Sequence, residues 1–336
     1  MIDRYSRQII FPQLGKEGQR RLGNSSVVII GCGALGGIIA TSLVRAGVGK
    51  VKIIDRDLIE YHNLHRQILF DEEDVKNKLP KAIAAEQHLK KVNSSVKIEG
   101  VVADVHYANV ERLITGVDLI LDGLDNPETR FIINDASLKH KIPWVYGAAI
   151  AASGMTMNII PGETPCFRCV FPSLPPPGVI PSCDTAGVIS PAPFVVGSLQ
   201  SAEAMKILVG AKEINRDVIV IDVWQGTFHR FKVSPRRDCP TCQGKYKFLQ
   251  RQFGIRTTIL CGQNSVQILD PKIESLSLEK LALHLKPLGK VSYNKLMLNF
   301  TVDNHEMVVF PDGRLILKNS LDESLARELY VKYIGT

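Results

Sequence analysis

Two groups of residues in this 336-residue chain have the types and spacing to do chemistry. The first is thiol. Cys166-Phe167-Arg168-Cys169 and Cys239-Pro240-Thr241-Cys242 are two CxxC knuckles, and two such pairs supply four thiolates for a tetrahedral structural zinc. A redox CxxC is the competing reading; two copies, each loop-bound near a proline (Pro165, Pro240), favour the metal. Seven cysteines are an odd number, and Asp3, Arg4 and Arg7 occupy the place where a secretory signal would need its apolar core, so no disulfide framework is expected. Cys32 and Cys261 read as packing residues. The second group is Gly31-Cys32-Gly33-Ala34-Leu35-Gly36, with Gly31, Gly33 and Gly36 at GxGxxG spacing. Glycines there let a backbone approach phosphates, and the helix N-terminus behind them favours negative charge. Asp55, 24 residues beyond Gly31, is placed for a ribose hydroxyl. Alone, these features imply only a bound nucleotide.

The elements that must hold them follow from periodicity. Residues 27–30 are an apolar β-branched run, 38–46 a helix stopped by Gly47, and 51–54 a strand ending at Asp55. The alternation continues with a helix over 81–91, a strand over 96–101, a helix over 109–114 and a strand over 117–121. Asn126 and Pro127 suit the N-cap and first turn of a helix running towards Lys139. A strand begins at 144–146, strand-like alternation covers 153–160, and 171–182 is a Pro-rich loop. A helix over 198–209 and strands over 218–223 and 228–233 complete a domain expected to span 1–247. The fold expected is α/β, a Rossmann-like doubly wound, mostly parallel sheet with a zinc-stapled β region. Residues 248–336 carry strand signals at 257–260 and 266–269, a helix at 278–285, a hairpin joining 308–310 to 315–317, and a helix at 322–333. They are expected to form a small α+β appendage, to which no chemistry is assigned.

Composition bounds the function. At 45% hydrophobic and 22% charged the chain is an ordinary globular sequence, and its longest charge-free stretch, 142–162, is interrupted by Gly147, Ser153, Gly154 and Asn158. No membrane span and a cytoplasmic location are expected. The net charge of +7 is not spread over the chain. Arg230, Lys232, Arg236, Arg237, Lys245, Lys247, Arg251 and Arg256 stand together against Asp238 alone. This cluster reads first as a solvated face around a connection between domains and second as a docking patch for an acidic protein; no nucleic-acid partner is expected.

Further groups follow the ends of successive predicted strands, where ligands bind in doubly wound sheets. They are Asp55-Arg56-Asp57, His62-Asn63-Leu64-His65-Arg66-Gln67, Leu79-Pro80-Lys81, and Asp122-Gly123-Leu124-Asp125-Asn126 with Arg130. An NAD-dependent oxidoreductase would explain the glycine turn and Asp55 but leaves these groups and the knuckles without purpose.

With Arg4-Tyr5-Ser6-Arg7-Gln8 at the start and Ser182-Cys183-Asp184-Thr185-Ala186-Gly187-Val188 after the Pro-rich loop, the order of motifs resembles the ThiF/MoeB family. These are bacterial relatives of the ubiquitin-activating enzymes, and the resemblance covers about residues 1–245. Ala34 stands where some members have glycine. The resemblance implies ATP-dependent adenylylation of the C-terminal Gly-Gly of a ubiquitin-like sulfur carrier, either ThiS (thiamine thiazole) or MoaD (molybdopterin), with release of pyrophosphate. It assigns Arg66 and Lys81 to phosphate, Asp125 to Mg²⁺, Asp55 to ribose and Asn63 to a phosphate or ribose oxygen. Ala34, Asp57, Gln67 and Asn126 join the nucleotide-contacting set. Arg7 matches an arginine supplied across a homodimer interface, and Cys183 a thiol that binds or passes on the activated carrier. The chain lacks the cysteine-bearing rhodanese domain of some relatives, so sulfur is expected from a separate protein. The alternatives are adenylylation of a short peptide, as in microcin maturation, an NAD-binding oxidoreductase, and a non-catalytic partner subunit.

Overall fold

The computed structural model describes residues 3–174, 183–250, 256–260, 264–271, 273 and 275–334. The chain divides into two compact units, Met1–Gln250 and Arg251–Thr336. Eight strands form the sheet of the first: β1 (Ser26–Ile30), β2 (Lys50–Asp55), β3 (Lys97–Val102), β4 (Leu119–Asp122), β5 (Trp144–Ile150), β6 (Ser153–Ile159), β7 (Val218–Asp222) and β8 (Thr227–Phe231). Their order is β3-β2-β1-β4-β5-β6-β7-β8. Pairing is parallel from β3 to β5 and antiparallel from there to β8. The doubly wound, mostly parallel sheet expected from the sequence is present, and its strand order reverses between β1 and β4.

The period-2 geometry of a strand explains why β1 is apolar from Val27 to Ile30. Val27 and Ile29 enter one core with Ile39 and Leu43 of the helix Ala34–Ala46, Ala84 and Leu89 of the helix Lys81–Val92, and Ala204 of the helix Pro191–Val209. Val28 and Ile30 enter a second core on the other face with Val110 and Leu113 of the helix Val110–Leu113 and Phe131, Ile132 and Ala136 of the helix Pro127–His140. Two helices start earlier than periodicity suggests. Ala34–Ala46 begins inside the glycine turn, and Pro191–Val209 begins at a proline, whose missing N–H costs nothing in a first turn.

The second unit is an antiparallel sheet of β9 (Arg256–Leu260), β10 (Ser265–Leu269), β11 (Lys290–Tyr293), β12 (Leu298–Val302), β13 (His305–Val309) and β14 (Leu315–Leu317), in the order β11-β12-β13-β14-β10-β9. The helices Leu278–Leu285 and Glu323–Tyr333 bury Leu281, Leu285, Leu329 and Tyr330 in its core. The expected hairpin is β13–β14; β11 and β12, with Asn294 and Lys295 in the turn between them, carried no strand signal. No helix among the described residues is long and apolar enough to cross a membrane.

Candidate active site

Close packing at the reversal point fixes the glycine turn. Gly31 has φ +90°, and a Cβ there would lie 2.5 Å from the Gly123 carbonyl oxygen, while one at Gly36 would lie 1.9 Å from that of Gly31. Backbone against backbone leaves no room for a side chain at either position. Gly33 is different. A Cβ there would meet only Gln67 Nε2, at 3.6 Å, so the space in front of the N-terminus of the helix Ala34–Ala46 is open. Amide N–H groups and the helix dipole favour an anion in that space, which fits a phosphate of ATP.

Asp55 organises the turn from the end of β2. Its Oδ2 accepts from the Cys32 amide (2.6 Å) and its Oδ1 from the Asp57 amide (2.7 Å). Burial pushes its carboxyl above the usual range, against the opposing pull of the Lys81 charge. Lys81, the first residue of its helix, is buried and donates from Nζ to Asp57 Oδ2 at 3.0 Å. Burial disfavours its charge, but Asp57 and Asp55 outweigh that and hold the ammonium above the ordinary lysine range. Arg56 donates to Asp104 Oδ1 (3.2 Å) after β3 and lies 3.7 Å from Asp57 Oδ1. Burial opposes its charge too, and Asp104, Asp57, Asp125 and Asp55 hold it charged. These are one network centred on the buried Asp55 and Lys81, which sequence spacing alone did not reveal.

The segment between β2 and Lys81 supplies three more expected residues. Asn63 is buried, and its amide oxygen accepts from the Glu60 amide (3.1 Å) to cap the turn Tyr61–Asn63. Arg66 is half-buried; Nη1 donates to the His62 carbonyl (2.7 Å), and among the described residues no carboxylate pairs with it. Gln67 is buried beside Gly33, and its Oε1 has no hydrogen-bond partner among the described residues. After β4, Asp122 is fully buried, accepting from the Leu124 amide (2.8 Å) and from Arg130 Nε (3.0 Å). Asp125 is exposed and lies close enough to Arg56, Lys81 and Arg130 to raise all three. Asn126 caps the next helix through the Thr129 amide (3.0 Å), which commits its oxygen to structure. Asp122 and Arg130 are partners that the sequence singled out without a role.

Two expected residues stand apart. Arg7 is exposed on the helix Ser6–Ile9. Its neighbour Gln8 donates to the Ala46 carbonyl (2.9 Å), Arg4 to the Val92 carbonyl (3.0 Å), and Asn93 to the Tyr5 hydroxyl (2.9 Å). Those contacts are at the C-terminal ends of the two helices whose N-terminal ends carry Ala34 and Lys81. A helix of 13 residues is about 20 Å long, so Arg7 sits at the far end of the sheet from its own glycine turn. Cys183 opens a short helix, Cys183–Ala186, but its side chain lies outside the described residues, as do Ser182, the prolines before it and Cys261.

The four knuckle cysteines converge. Their Sγ atoms are 3.8 Å apart for Cys166 and Cys169, 3.5 Å for Cys166 and Cys239, and 3.6 Å for Cys169 and Cys242. A zinc bonded to four thiolates at about 2.3 Å requires sulfur–sulfur edges of about 3.8 Å, so the set fits the ion and is too long for disulfides. The helix Pro127–His140 anchors both knuckles. Asn134 donates to Cys166 Sγ (3.8 Å) and accepts from the Phe167 amide (2.8 Å), and Asp135 accepts from Thr241 Oγ1 (2.7 Å) and the Phe248 amide (2.8 Å). Beyond them Arg230, Lys232, Arg237, Lys245 and Lys247 are exposed and Arg236 pairs with Asp238, as a solvated face requires.

The ThiF family model matches residues 5–241. Along its whole length the chain is 41% identical to the whole of the sulfur carrier protein ThiS adenylyltransferase of Bacillus subtilis. It is 40% identical to the sulfur carrier protein adenylyltransferase of Thermus thermophilus, over 72% of this chain and 90% of that protein. Among solved structures, E. coli MccB with ATP superimposes with a TM-score of 0.63 at 22% identity, over 72% of this chain and 75% of MccB, a likeness of fold. A glycine turn, a lysine held between two aspartates and a pair of converging knuckles thus occur on a doubly wound sheet whose sequence matches one family model across most of its first unit: the chain belongs to the ThiF family.

Proposed function

We propose that this protein is a nucleotidyltransferase that adenylylates the C-terminal Gly-Gly carboxylate of a ubiquitin-like sulfur carrier, releasing pyrophosphate. The observation that carries the reading is the buried Lys81–Asp57 pair beside the open space at Gly33, with Arg66 as a cation without a carboxylate partner among the described residues. The identity to a ThiS adenylyltransferase extends through the appendage, which favours ThiS over MoaD as the carrier. Residues 1–247 are the adenylylating domain.

The chemistry needs a nucleophilic carboxylate aligned with the α-phosphorus and a leaving pyrophosphate whose charge is neutralised. The Gly33 turn receives phosphate, Arg66 offers a fork and Lys81 a point charge. Asp55, Asn63, Gln67 and the backbone near Ala34 and Asn126 surround the nucleotide. Asp55, Asp57, Asp104, Asp122 and Asp125 outnumber Arg56, Arg66, Lys81 and Arg130, so a tetra-anionic ligand requires further positive charge. Asp125, the exposed carboxylate among them, would hold Mg²⁺, which would offset the charge of the phosphates. Cys166, Cys169, Cys239 and Cys242 hold Zn²⁺ as a structural ion. The position of Arg7 at the far end of its own sheet supports a homodimer in which it serves the partner's site. Cys183 is the thiol for the activated carrier, a separate protein donates sulfur, and the free thiols suit the cytoplasm.

The test is carrier-dependent ATP–pyrophosphate exchange with ThiS and MoaD assayed separately. Exchange with ThiS is expected. Exchange with neither carrier, while ATP still binds, overturns the substrate and moves it to a short peptide.

A further inference from the structure

In a parallel sheet the natural course of two neighbouring strands is to stay paired to their ends, yet β4 parts from β5 one residue before its own end, while its pairing with β1 continues to Asp122. Their register covers only Ile120 with Trp144 and Leu121 with Val145. On its other side β4 keeps to β1, with Ile30 opposite Asp122 and the Gly123 amide donating to the Ile30 carbonyl at 2.8 Å. The sheet therefore splits between β4 and β5 just where the 122–126 loop begins.

Two buried side chains enter this split from opposite faces. Gln200, fully buried in the middle of the helix Pro191–Val209, donates from Nε2 to the Asp122 carbonyl (2.9 Å) and the Val145 carbonyl (3.2 Å). A Cβ at Gly147 would lie 2.3 Å from the Gln200 amide, so glycine at 147 is what admits it. Arg130, from the helix Pro127–His140, donates from Nε to Asp122 Oδ2 (3.0 Å) and from Nη2 to the carbonyls of Leu124 (2.5 Å) and Gly147 (2.8 Å). Its guanidinium lies 5.1 Å over the Tyr146 ring. Gln200 Oε1 has no hydrogen-bond partner among the described residues. That unpaired acceptor costs stability, while the amide nitrogen satisfies the two buried carbonyls exposed where the strands part.

We propose that Gln200 and Arg130 are positioning residues that wedge β4 from β5 and so aim the 122–126 loop, and with it Asp125, at the nucleotide. Neither side chain lies within 4 Å of a Cβ placed at Gly33. They act by fixing the loop backbone, with Arg130 also neutralising the buried Asp122 carboxylate, whose pKa burial would otherwise drive further upward. The inference rests on the adenylylation reading and names the device that orders part of its site.

The experiment compares wild type with Gln200→Met, close in size but without the amide, and with Arg130→Lys, which keeps the charge but loses the fork. Each is measured in four ways: thermal melting, ATP binding without divalent ion, Mn²⁺ affinity of the ATP complex by electron paramagnetic resonance, and kcat and KM for carrier-dependent exchange. For a folded variant, ATP affinity is expected to stay within about threefold while Mn²⁺ affinity falls about tenfold. Exchange kcat falls about a hundredfold with carrier KM unchanged, as a displaced charged group entails. Mn²⁺ affinity equal to wild type in both variants overturns the proposal, as does a kcat loss that follows ATP affinity alone. If wild type exchanges with no carrier, the adenylylation reading fails, while the Mn²⁺ titration still decides the positioning role.

Discussion

Replacing Lys81 by Met tests the electrostatics of the site without reference to any substrate. The Lys81 and Asp57 side chains are 7% and 26% exposed, with Nζ 3.0 Å from Oδ2. Removing one partner of a buried pair costs about 3–5 kcal/mol, and the partial exposure of Asp57 puts this pair at about 3 kcal/mol. At about 2–4 °C per kcal/mol for a unit of this size, Tm should fall by roughly 6–12 °C at pH 8. The loss must also depend on pH. Burial already holds the Asp55 carboxyl above its ordinary range, and Lys81 is the charge that pulls it down. Without Lys81 the folded-state pKa moves further above the unfolded value, so folded protein binds more protons than unfolded. Stability in the variant is then greatest at low pH and is lost as pH rises through the folded-state value. The Tm deficit relative to wild type should be smaller at pH 5 than at pH 8, read by differential scanning fluorimetry across that range. An equal deficit at both ends would refute the coupling of Lys81 to these aspartates.

Elemental analysis should find one zinc per chain, and Cys239→Ser should lose it with a Tm drop of roughly 10 °C or more; full stability without metal would refute the staple. Gly36→Ala puts a Cβ 1.9 Å from a backbone oxygen and should lower both Tm and ATP affinity, whereas Gly33→Ala meets open space and should lower ATP affinity about tenfold at unchanged Tm. If Gly33→Ala binds ATP normally, phosphate does not approach that turn. Arg7→Ala, at an exposed position, should keep Tm within about 1 °C and abolish exchange, and mixing it with Lys81→Met should restore part of the activity. No recovery on mixing would exclude an arginine shared between subunits.

What could be read from the sequence was whatever is local in the chain. The glycine turn, Asp55 and the two knuckles are short patterns whose physics lies within a few residues, and each stands in the fold where expected. The start of the helix Pro191–Val209 was misplaced because Pro191, Pro193 and Gly197 look like breakers, although a helix tolerates proline in its first turn and Gly197 is where Ile38 packs closely. β11 and β12 were missed because Lys290, Asn294, Lys295 and Asn299 mask an alternation that burial of Leu298 and Phe300 decides. The Lys81–Asp57 pair depends on how a helix start meets a strand end 24 residues earlier, and the Gln200 contacts span 78 and 55 residues. Such pairings are set by strand order, which no local pattern states. Asn126 shows the converse: its local capping role was legible and is the one its oxygen performs.

The convergence of the two knuckles has a consequence for biosynthesis. Cys166 and Cys239, 73 residues apart in the chain, meet at 3.5 Å. At about 5–20 residues per second, a ribosome releases the second pair about 4–15 s after the first. Throughout that interval the first two thiols wait without their partners while the intervening helix, β7 and β8 emerge. A four-thiolate site therefore cannot close until the second pair has emerged, and zinc-starved cells should accumulate fewer molecules of this protein, not less active ones.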